Sequence, residues 1–271
     1  MILYHIYSGQ LFFTAAALYL VGIFVPRLRV LALLAIPLAL LSGTPMPWWF
    51  ALPLLAVTVA GLIRRRSRMV RVLAAAGVLV AAAAEVPYQI GGAFSPPGRL
   101  IVIGDSLAAG GFAESQPWPH RLGVPVVNLA RAADTAAGAL SEQVPAMPPP
   151  TRGDVVIIEI GGNDMLDGLP ARSFARALDQ IVRAAAPREV VILEIPLLPG
   201  RWAYGAAQRR VAHRHGATLI PKRVLAKVLA DPRNTDDGLH LTDRGHEALA
   251  RSLLPRQRGG EGGRRPDEGA Q

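Results

Sequence analysis

Two long stretches near the N-terminus, residues 1–26 and 30–63, contain no Lys, Arg, Asp or Glu. A helix needs about 20 mostly apolar residues to cross a hydrocarbon core about 30 Å thick. The second stretch is too long for one straight span, and segment 43–49, which contains Gly, Pro and Trp, divides it in two. A further apolar run follows at 72–84. Residues 1–85 are therefore predicted to form an all-α region of four transmembrane helices.

The arginines around these stretches predict an orientation. Arg27 and Arg29 follow the first stretch, and five more arginines lie within residues 64–71. Four spans place both groups on one side of the membrane, as the positive-inside rule requires, whereas three spans would separate them. The expected protein is a multi-pass protein of the cytoplasmic membrane, with the lipid bilayer as a partner. Everything after Glu85 is then expected on the extracytoplasmic side.

Two other interpretations of the apolar segments stay open. The first segment is a candidate cleaved signal peptide, although it has no basic n-region and further apolar segments follow it. The segments 30–42 and 72–84 are short enough to be buried or re-entrant helices rather than spans. Either interpretation reduces the number of spans.

Charge and composition exclude several classes of function. The net charge is +9, of which +6 belongs to residues 1–98 and +3 to residues 99–271. The basic residues of the N-terminal part flank uncharged runs and form no stripe on one folded face, which argues against a nucleic-acid partner. The chain has no cysteine, which excludes disulfides, thiolate metal sites and a cysteine nucleophile.

After residue 85 the chain divides into a linker, a globular domain and a tail. Residues 86–98 contain three prolines and three glycines, which is typical of a linker. Residues 99–256 alternate short apolar runs with amphipathic segments and form the predicted globular domain. Residues 257–271 are rich in glycine and charge without apolar periodicity, so a disordered tail is expected there.

The globular domain has the sequence pattern of an α/β protein. Runs such as VVII and VVIL are apolar on both faces, as in parallel strands that helices cover on both sides. Their alternation with amphipathic segments predicts an open, mostly parallel sheet between two layers of helices. Ligands of such folds bind outside the carboxyl ends of the strands. The predicted strands are 100–104, 124–129, 154–161, 189–195 and 217–220, and the predicted helices are 173–186, 203–216, 224–229 and 242–254.

Residues suited to nucleophilic catalysis follow the strands at that edge. Ser106 comes directly after the first strand and its turn, and a serine hydroxyl becomes a nucleophile when a neighbouring base removes its proton. His240 is the candidate base, and Asp237, three residues earlier, can orient its imidazole. Asn163 after the third strand offers a side-chain N–H to a developing oxyanion. Backbone N–H groups at Ser106 and in the loop 130–134 can add further donors.

Four segments, in this order, resemble the conserved blocks of the GDSL/SGNH hydrolase family. The resemblance covers about residues 99–254 and implies a flavodoxin-like three-layer αβα sandwich with strand order 2-1-3-4-5. It also implies hydrolysis of carboxylic esters or thioesters through an acyl-serine intermediate, with Ser106 as nucleophile, His240 as base and Asp237 as its partner. The segments are Gly104-Asp-Ser-Leu107, residues 128–135, Ile160-Gly-Gly-Asn-Asp164 and Asp237-Gly-Leu-His240.

The same resemblance implies an oxyanion hole made by Ser106, Asn163 and a third donor at position 133. The second block of the family usually ends in Ser-Gly-Asp, whereas this chain has Ala132-Ala133-Asp134. The backbone N–H survives at Ala133, but the Cβ is unfavourable if the position needs a positive φ.

The expected function is that of a membrane-anchored serine esterase acting on acylated lipids or envelope components. The loop 195–200 resembles the acyl-chain-facing loop of the lysophospholipase/thioesterase branch, and Asp105, Asp134 and Asp164 are expected to cap helices or brace loops. No residue spacing indicates a metal, nucleotide or flavin cofactor. Two alternatives use the same domain: an O-acyltransferase acting on cell-surface glycans, and a degenerate, non-catalytic binding module.

Overall fold

The computed structural model describes residues 2–45, 48–63, 68–90, 94, 98–111 and 116–254. Its helices are α1 Ile2–Tyr7, α2 Leu11–Phe24, α3 Arg29–Leu41, α4 Trp48–Ile63, α5 Arg68–Glu85, α6 Pro87–Ile90, α7 Ser106–Ala109, α8 Ala136–Gly138, α9 Gly162–Leu166, α10 Ala171–Ala185, α11 Trp202–His215, α12 Arg223–Leu229 and α13 Asp243–Leu253. Its strands are β1 Arg99–Gly104, β2 Val126–Asn128, β3 Asp154–Glu159, β4 Glu189–Leu193 and β5 Thr218–Ile220.

These strands form one parallel sheet in the order β2-β1-β3-β4-β5. The central strands β1 and β3 are buried along almost their whole length. Their uninterrupted apolar sequences suit this position because helices cover both faces of the sheet. The prediction of a parallel sheet with strand order 2-1-3-4-5 is confirmed.

Neighbouring residues along the strands point to two separate cores. Ile101 packs in one cluster with Phe174 and Leu178 of α10, whereas Leu100 packs in a second cluster with Leu249 of α13. Because successive side chains of a strand point to opposite faces, these clusters lie on the two sides of the sheet. The domain is therefore a three-layer αβα sandwich, and α10 to α13 begin and end within two residues of their predicted positions.

The helices α2, α3 and α5 pack against one another through small side chains. Ala15 on α2, Ala32 on α3 and Ala74 on α5 are buried in one cluster. Gly22 lies so close to α3 that a Cβ at this position would be 2.4 Å from the Ala32 nitrogen. A glycine at position 22 is therefore needed for the close approach of α2 and α3.

None of the described helices is both long and apolar enough to span a membrane. The helices α2, α3 and α4 have 14, 13 and 16 residues. At a rise of 1.5 Å per residue they reach about 20–24 Å, against a hydrocarbon core of about 30 Å. The helix α5 has 18 residues but includes Arg68, Arg71 and Glu85. The prediction of four transmembrane helices is therefore not supported by the structure.

The N-terminal helices contact the α/β domain beyond the carboxyl ends of β4 and β5. Trp202 Nε1 donates a hydrogen bond to Ser42 O (3.0 Å), and Leu197 N donates to Tyr7 O (3.4 Å). Gly43 fits closely against the same loop, because a Cβ there would lie 3.1 Å from Leu197 O. The two parts of the chain therefore share an interface at the carboxyl edge of the sheet.

Four charged side chains are buried at this interface. Arg209 on α11 donates to both carboxylate oxygens of Glu85 (2.6 and 2.9 Å) and, through Nε, to Glu194 (2.7 Å). Lys222 Nζ lies 3.5 Å from Glu85 and 3.6 Å from Glu194. Each charge has partners of opposite sign, as buried charges require. The cluster thereby ties α5 to the α/β domain.

The predicted linker 86–98 lies partly within the described residues. Pro87–Ile90 form α6, where Gln89 Nε2 donates to Ser8 O (3.0 Å), and Phe94 is buried. The predicted tail 257–271 lies outside the described residues. The domain boundaries stay predictions.

Candidate active site

Ser106 is the first residue of α7, directly after the turn that follows β1. Asp105 caps this helix, since its Oδ1 accepts a hydrogen bond from a backbone N–H of α7 (3.1 Å). The turn requires Gly104, because a Cβ there would lie 2.8 Å from the Ala108 Cβ and 3.0 Å from Glu159 O. The sequence Gly-Asp-Ser thus holds a half-buried Ser106 at the carboxyl edge of the sheet.

His240 and Asp237 form a hydrogen-bonded pair in the loop before α13. His240 Nδ1 lies 2.7 Å from Asp237 Oδ2, and Asp237 Oδ1 accepts the backbone N–H groups of Leu239 (2.9 Å) and His240 (2.7 Å). These hydrogen bonds, that of the His240 ring first, hold the pKa of Asp237 well below its usual range. Asp237 is therefore ionised wherever an imidazole titrates, and it favours the tautomer of His240 with hydrogen on Nδ1.

Backbone contacts hold the loop that carries this pair. Thr235 and Leu241 form an antiparallel bridge, and Asp236 N donates to His240 O (3.0 Å). Thr242 ends the loop and caps α13 by accepting a backbone N–H of the first helical turn (3.2 Å). The backbone contacts of the loop therefore hold His240 in position, in addition to the hydrogen bond between its side chain and Asp237.

The loop brings His240 beside the Ser106 helix. A Cβ on Gly111 would lie 3.5 Å from His240 Cδ2 and 3.6 Å from Ser106 O, so the imidazole and the Ser106 backbone flank the same glycine. Burial raises the pKa of Asp105, and its hydrogen bond from the Leu107 N–H acts in the opposite direction. The fold thus brings together Ser106, His240 and Asp237, the three residues predicted for catalysis.

The three predicted oxyanion donors lie on the loops that follow β1, β2 and β3. Asn163, in α9, donates through Nδ2 to Asp134 O (2.8 Å), which places its amide one residue from Ala133. Among the described residues, no acceptor is found for the backbone N–H of Ser106 or of Ala133. These two N–H groups and the second N–H of the Asn163 amide are available to an oxyanion.

Gln143, which the sequence did not single out, ties the second of these loops to β1. Its Oε1 accepts from Gly104 N (3.0 Å), and its Nε2 donates to Gly104 O (2.9 Å) and to Asp134 Oδ2 (2.7 Å). Asp164 Oδ2 adds a brace by accepting the Ala136 N–H (2.9 Å). Gln143 belongs to a π-helical turn and to no motif, so no sequence signal pointed to it.

The acidic residues near Ser106 hold the surrounding loops in place through hydrogen bonds. Asp105, Asp134 and Asp164 each accept hydrogen bonds from backbone N–H groups, which confirms their prediction as helix caps and loop braces. The described part of the chain contains no group of His, Asp and Glu side chains arranged to hold a metal ion.

Ala133 has φ +62° and is the single non-glycine residue with a positive φ among the described residues. The left-handed region costs a residue with a Cβ about 1–2 kcal/mol. The glycine that the family usually carries at this position avoids that cost. The backbone of the loop is therefore the one expected for glycine, and the alanine is strained.

Ala133→Gly is expected to raise the free energy of unfolding by about 0.5–1 kcal/mol, the relief of strain less the entropy cost of glycine. Ala133 is exposed, so loss of its methyl group leaves no cavity. Ala132→Gly is the matched control, because Ala132 is also exposed and has no positive φ. Urea denaturation of both variants measures the difference, and equal effects at the two positions would contradict the account.

Glu159, at the end of β3, is a fully buried carboxyl below the β1–α7 turn. A Cβ on Gly104 would lie 3.2 Å from Glu159 Oε2. Burial raises the pKa of Glu159 well above its usual value, and the charge of the neighbouring Asp105 acts in the same direction. Glu159 and Asp105 together therefore retain a proton at a pH at which two exposed carboxyl groups would both be ionised.

Glu159→Gln is expected to flatten the pH dependence of stability above about pH 4.5, the usual pKa of the carboxyl. The folded wild type binds this proton more tightly than the unfolded chain, so its free energy of unfolding falls as pH rises through the folded-state pKa, by up to about 1.4 kcal/mol per pH unit. Glutamine has a similar size and does not titrate. Urea denaturation across this range measures the effect. Parallel losses in the wild type and the variant would show that the pKa of Glu159 is not raised.

Comparisons with known proteins show the family of this chain. The profile of the GDSL-like lipase/acylhydrolase family matches residues 102–248. Thioesterase 1/protease 1/lysophospholipase L1 of Escherichia coli (strain K12) is 30% identical over 156 residues, which cover 52% of this chain and 74% of that protein. Esterase TesA of Pseudomonas aeruginosa is 31% identical over 139 residues, which cover 45% of this chain and 69% of that protein.

A solved structure supports the same assignment. The crystal structure of TesA superimposes with a TM-score of 0.50 at 30% sequence identity and covers 57% of this chain and 94% of that chain. The family match takes in more than half of the sequence and includes the loops of Ser106, Asn163 and His240. The chain therefore belongs to the GDSL-like lipase/acylhydrolase family and is an SGNH hydrolase that acts on ester bonds.

Proposed function

We propose that this chain is a serine esterase of lipid-like acyl esters and thioesters, with Ser106 as nucleophile and His240 as general base. The observation that carries the proposal is the 2.7 Å contact between His240 Nδ1 and Asp237 Oδ2 beside the Ser106 helix. With hydrogen on Nδ1, His240 Nε2 is an acceptor and can take the serine proton. The names of the E. coli and P. aeruginosa relatives support acyl esters and thioesters as the substrate class.

In the acylation step, the Ser106 oxygen attacks the carbonyl carbon of the substrate while His240 Nε2 takes the hydroxyl proton. The carbonyl oxygen becomes an oxyanion, to which the N–H groups of Ser106, Ala133 and Asn163 donate. Donors placed in advance stabilise the charge that develops, and each is worth about 10²–10³ in rate. His240 then gives its proton to the departing alcohol or thiol, and the acyl group stays on Ser106.

In the deacylation step, His240 removes a proton from water and the water oxygen attacks the acyl carbon. The bond to Ser106 breaks, the serine oxygen takes the proton back from His240, and a carboxylic acid leaves. Asp237 stays ionised throughout and stabilises the imidazolium in both steps. Acylation and deacylation therefore use the same residues in the same roles.

Exposed apolar side chains support a lipid-like substrate and a lipid surface as the place of work. In the α/β domain, Leu166 and Leu169 are 49% and 39% exposed, on α9 and just after it. The N-terminal helices carry many more exposed large apolar side chains, among them Leu33, Leu73 and Val80. Extensive exposed apolar surface marks an interaction site. We infer that these helices rest on a lipid bilayer.

The prediction that the α/β domain works on the outer side of the cytoplasmic membrane stays a prediction. It rests on four spans together with the arginines at 27–29 and 64–71, and the described helices do not support four spans. The two alternatives, an O-acyltransferase and a non-catalytic binding module, are not favoured by relatives that are named for hydrolysis.

A series of p-nitrophenyl esters from acetyl to palmitoyl tests the proposal with the full chain. Release of p-nitrophenol with an optimum at a medium or long acyl chain is expected, and anionic phospholipid vesicles are expected to raise the rate. A folded protein that turns over none of these esters would contradict an esterase. Acyl transfer to an added sugar alcohol in preference to water would instead indicate the acyltransferase.

A further inference from the structure

A pocket of about 330 Å³ lies between α2, α3, α4 and α5, and Trp202 of the α/β domain forms one side of it. Well-packed protein interiors contain few voids larger than a water molecule. Sites for small organic ligands begin at about 300 Å³. The pocket is therefore of the size of a ligand site and too large for a packing defect.

Alanines create this space. Five of them line the pocket, and longer apolar side chains at the same positions would fill it: Ala15, Ala16, Ala35, Ala39 and Ala51. None of the lining side chains that the structure describes is charged. Burial of a charged or strongly polar ligand here would be costly. The walls therefore select an uncharged apolar group.

Of the polar groups at the wall, Thr44 and Trp202 have hydrogen-bond partners of their own. The Thr44 hydroxyl contacts Ser42 Oγ (2.9 Å) and Gly9 O (3.2 Å). The Trp202 N–H is donated to Ser42 O, whereas the Tyr19 hydroxyl is buried and has no hydrogen-bond partner among the described residues. The Tyr19 hydroxyl can therefore donate one hydrogen bond to an occupant, which otherwise binds through apolar contact.

The rim of the pocket is apolar and exposed. Leu40, Leu52 and Leu55, on α3 and α4, line it and are 53%, 58% and 39% exposed. Other large apolar side chains of the N-terminal helices, such as Leu33 and Leu73, are exposed as well. A hydrocarbon chain can enter there without leaving an apolar environment, whereas a polar solute would have to cross this rim.

We propose that the pocket binds one hydrocarbon chain of a fatty acid or acyl lipid, at a site separate from Ser106. Its walls contain none of the residues assigned to the reaction, so the proposal does not depend on the catalytic role of Ser106. The helix α11 nevertheless links the wall of the pocket to the active site. Trp202 begins α11, and Tyr204 of that helix donates a hydrogen bond to Asp164 O (2.8 Å), next to Asn163.

The test uses the full chain with Ser106→Ala, so that no ester is consumed, and radiolabelled dodecanoic acid in equilibrium dialysis. We expect saturable binding of one fatty acid per chain. Ala39→Phe is expected to weaken it by about tenfold or more, as when two buried methylene groups lose their contacts. Ala17→Phe is the matched control, because Ala17 is an exposed residue of α2 that does not line the pocket.

Leu52→Glu is a second variant. Because Leu52 is exposed at the rim, a loss of fatty-acid binding in this variant cannot be attributed to a folding defect. A carboxylate at the mouth is expected to weaken binding as well. A parallel titration with dodecanoyl lysophosphatidylcholine distinguishes a free acid from a lipid-borne chain, and saturable binding of either supports the proposal. The proposal is overturned if neither the fatty acid nor the lysophosphatidylcholine binds saturably. It is also overturned if binding to Ala39→Phe and Leu52→Glu is as strong as to the parent chain, a result that would locate the hydrocarbon chain elsewhere, for example near Ser106.

Discussion

Ser106→Ala is expected to lower kcat for ester hydrolysis by about 10⁴–10⁶-fold, the loss typical of a missing serine nucleophile. The hydroxyl oxygen forms the covalent bond to the acyl group, and no other residue of the loop supplies a nucleophile. Ser106 is only half-buried and its side chain caps no helix. The change is therefore expected to leave the free energy of unfolding within about 1 kcal/mol of the wild type.

The same kinetic measurement on His240→Ala, alone and combined with Ser106→Ala, extends this test. Nucleophile and base act as a unit, so the single variants should lose similar activity and the double variant little more than either. Steady-state kinetics with one soluble ester measure all three. Losses that multiply in the double variant would indicate that Ser106 and His240 act independently, against the proposed proton transfer.

Asp237→Asn is expected to lower kcat by about 10⁴-fold, the effect of losing the partner that sets the histidine tautomer. An asparagine Oδ1 can still accept the N–H groups of Leu239 and His240, which Asp237 Oδ1 accepts at 2.9 and 2.7 Å. The loop should therefore keep its shape. The amide N–H₂ would now face His240 Nδ1, so Nδ1 would become the acceptor and Nε2 would carry the hydrogen.

Asp236→Asn is the matched control for this change. Asp236 is an exposed neighbour in the same loop, and its backbone N–H, which bonds to His240 O, is unaffected by the substitution. Its kcat should stay close to that of the wild type. The two variants should unfold at similar urea concentrations. Equal kcat values for Asp237→Asn and the wild type would exclude Asp237 as the partner of the base.

The sequence contained enough information to predict the α/β domain. Strands such as β1 and β3 are continuous apolar runs, and the Phe174 and Leu178 face of α10 repeats with the helical period, so both are local signals. The strand β2 is shorter than predicted, since only Val126–Asn128 pair with β1. Pairing at a sheet edge depends on the neighbouring chain, which no local pattern records.

The N-terminal helices show where such patterns mislead. The uncharged stretch 1–26 predicts one apolar segment with its core at Leu11–Val25, which α2 Leu11–Phe24 matches, but the structure also has a separate short helix, α1, that ends at Tyr7. The absence of charge does not reveal the break after α1. Nor could it reveal that Glu85 pairs with Arg209 across 124 residues, because contacts of this range leave no trace in a local window. Gln143 and Glu159 were missed for the same reason.

The active-site residues are easier to predict from the sequence than the residues that hold them in place. Ser106, Asn163, Asp237 and His240 lie in short motifs at the ends of strands or before a helix, and the fold gathers those loops at one edge. The consequence of Ala133 was visible only as a condition on its φ, which the structure supplies as +62°. Motifs thus identify the reacting groups, whereas backbone geometry and buried partners come from the fold.

Covalent labelling with a fluorophosphonate, followed by peptide mass spectrometry, tests the central claim most directly. The reagent reacts with a serine only where a base and oxyanion donors activate it. The account predicts one adduct per chain, on the peptide that contains Ser106, and none after heat denaturation or in Ser106→Ala. A native, folded protein that gains no adduct, or gains it on another residue, would contradict Ser106 as the nucleophile.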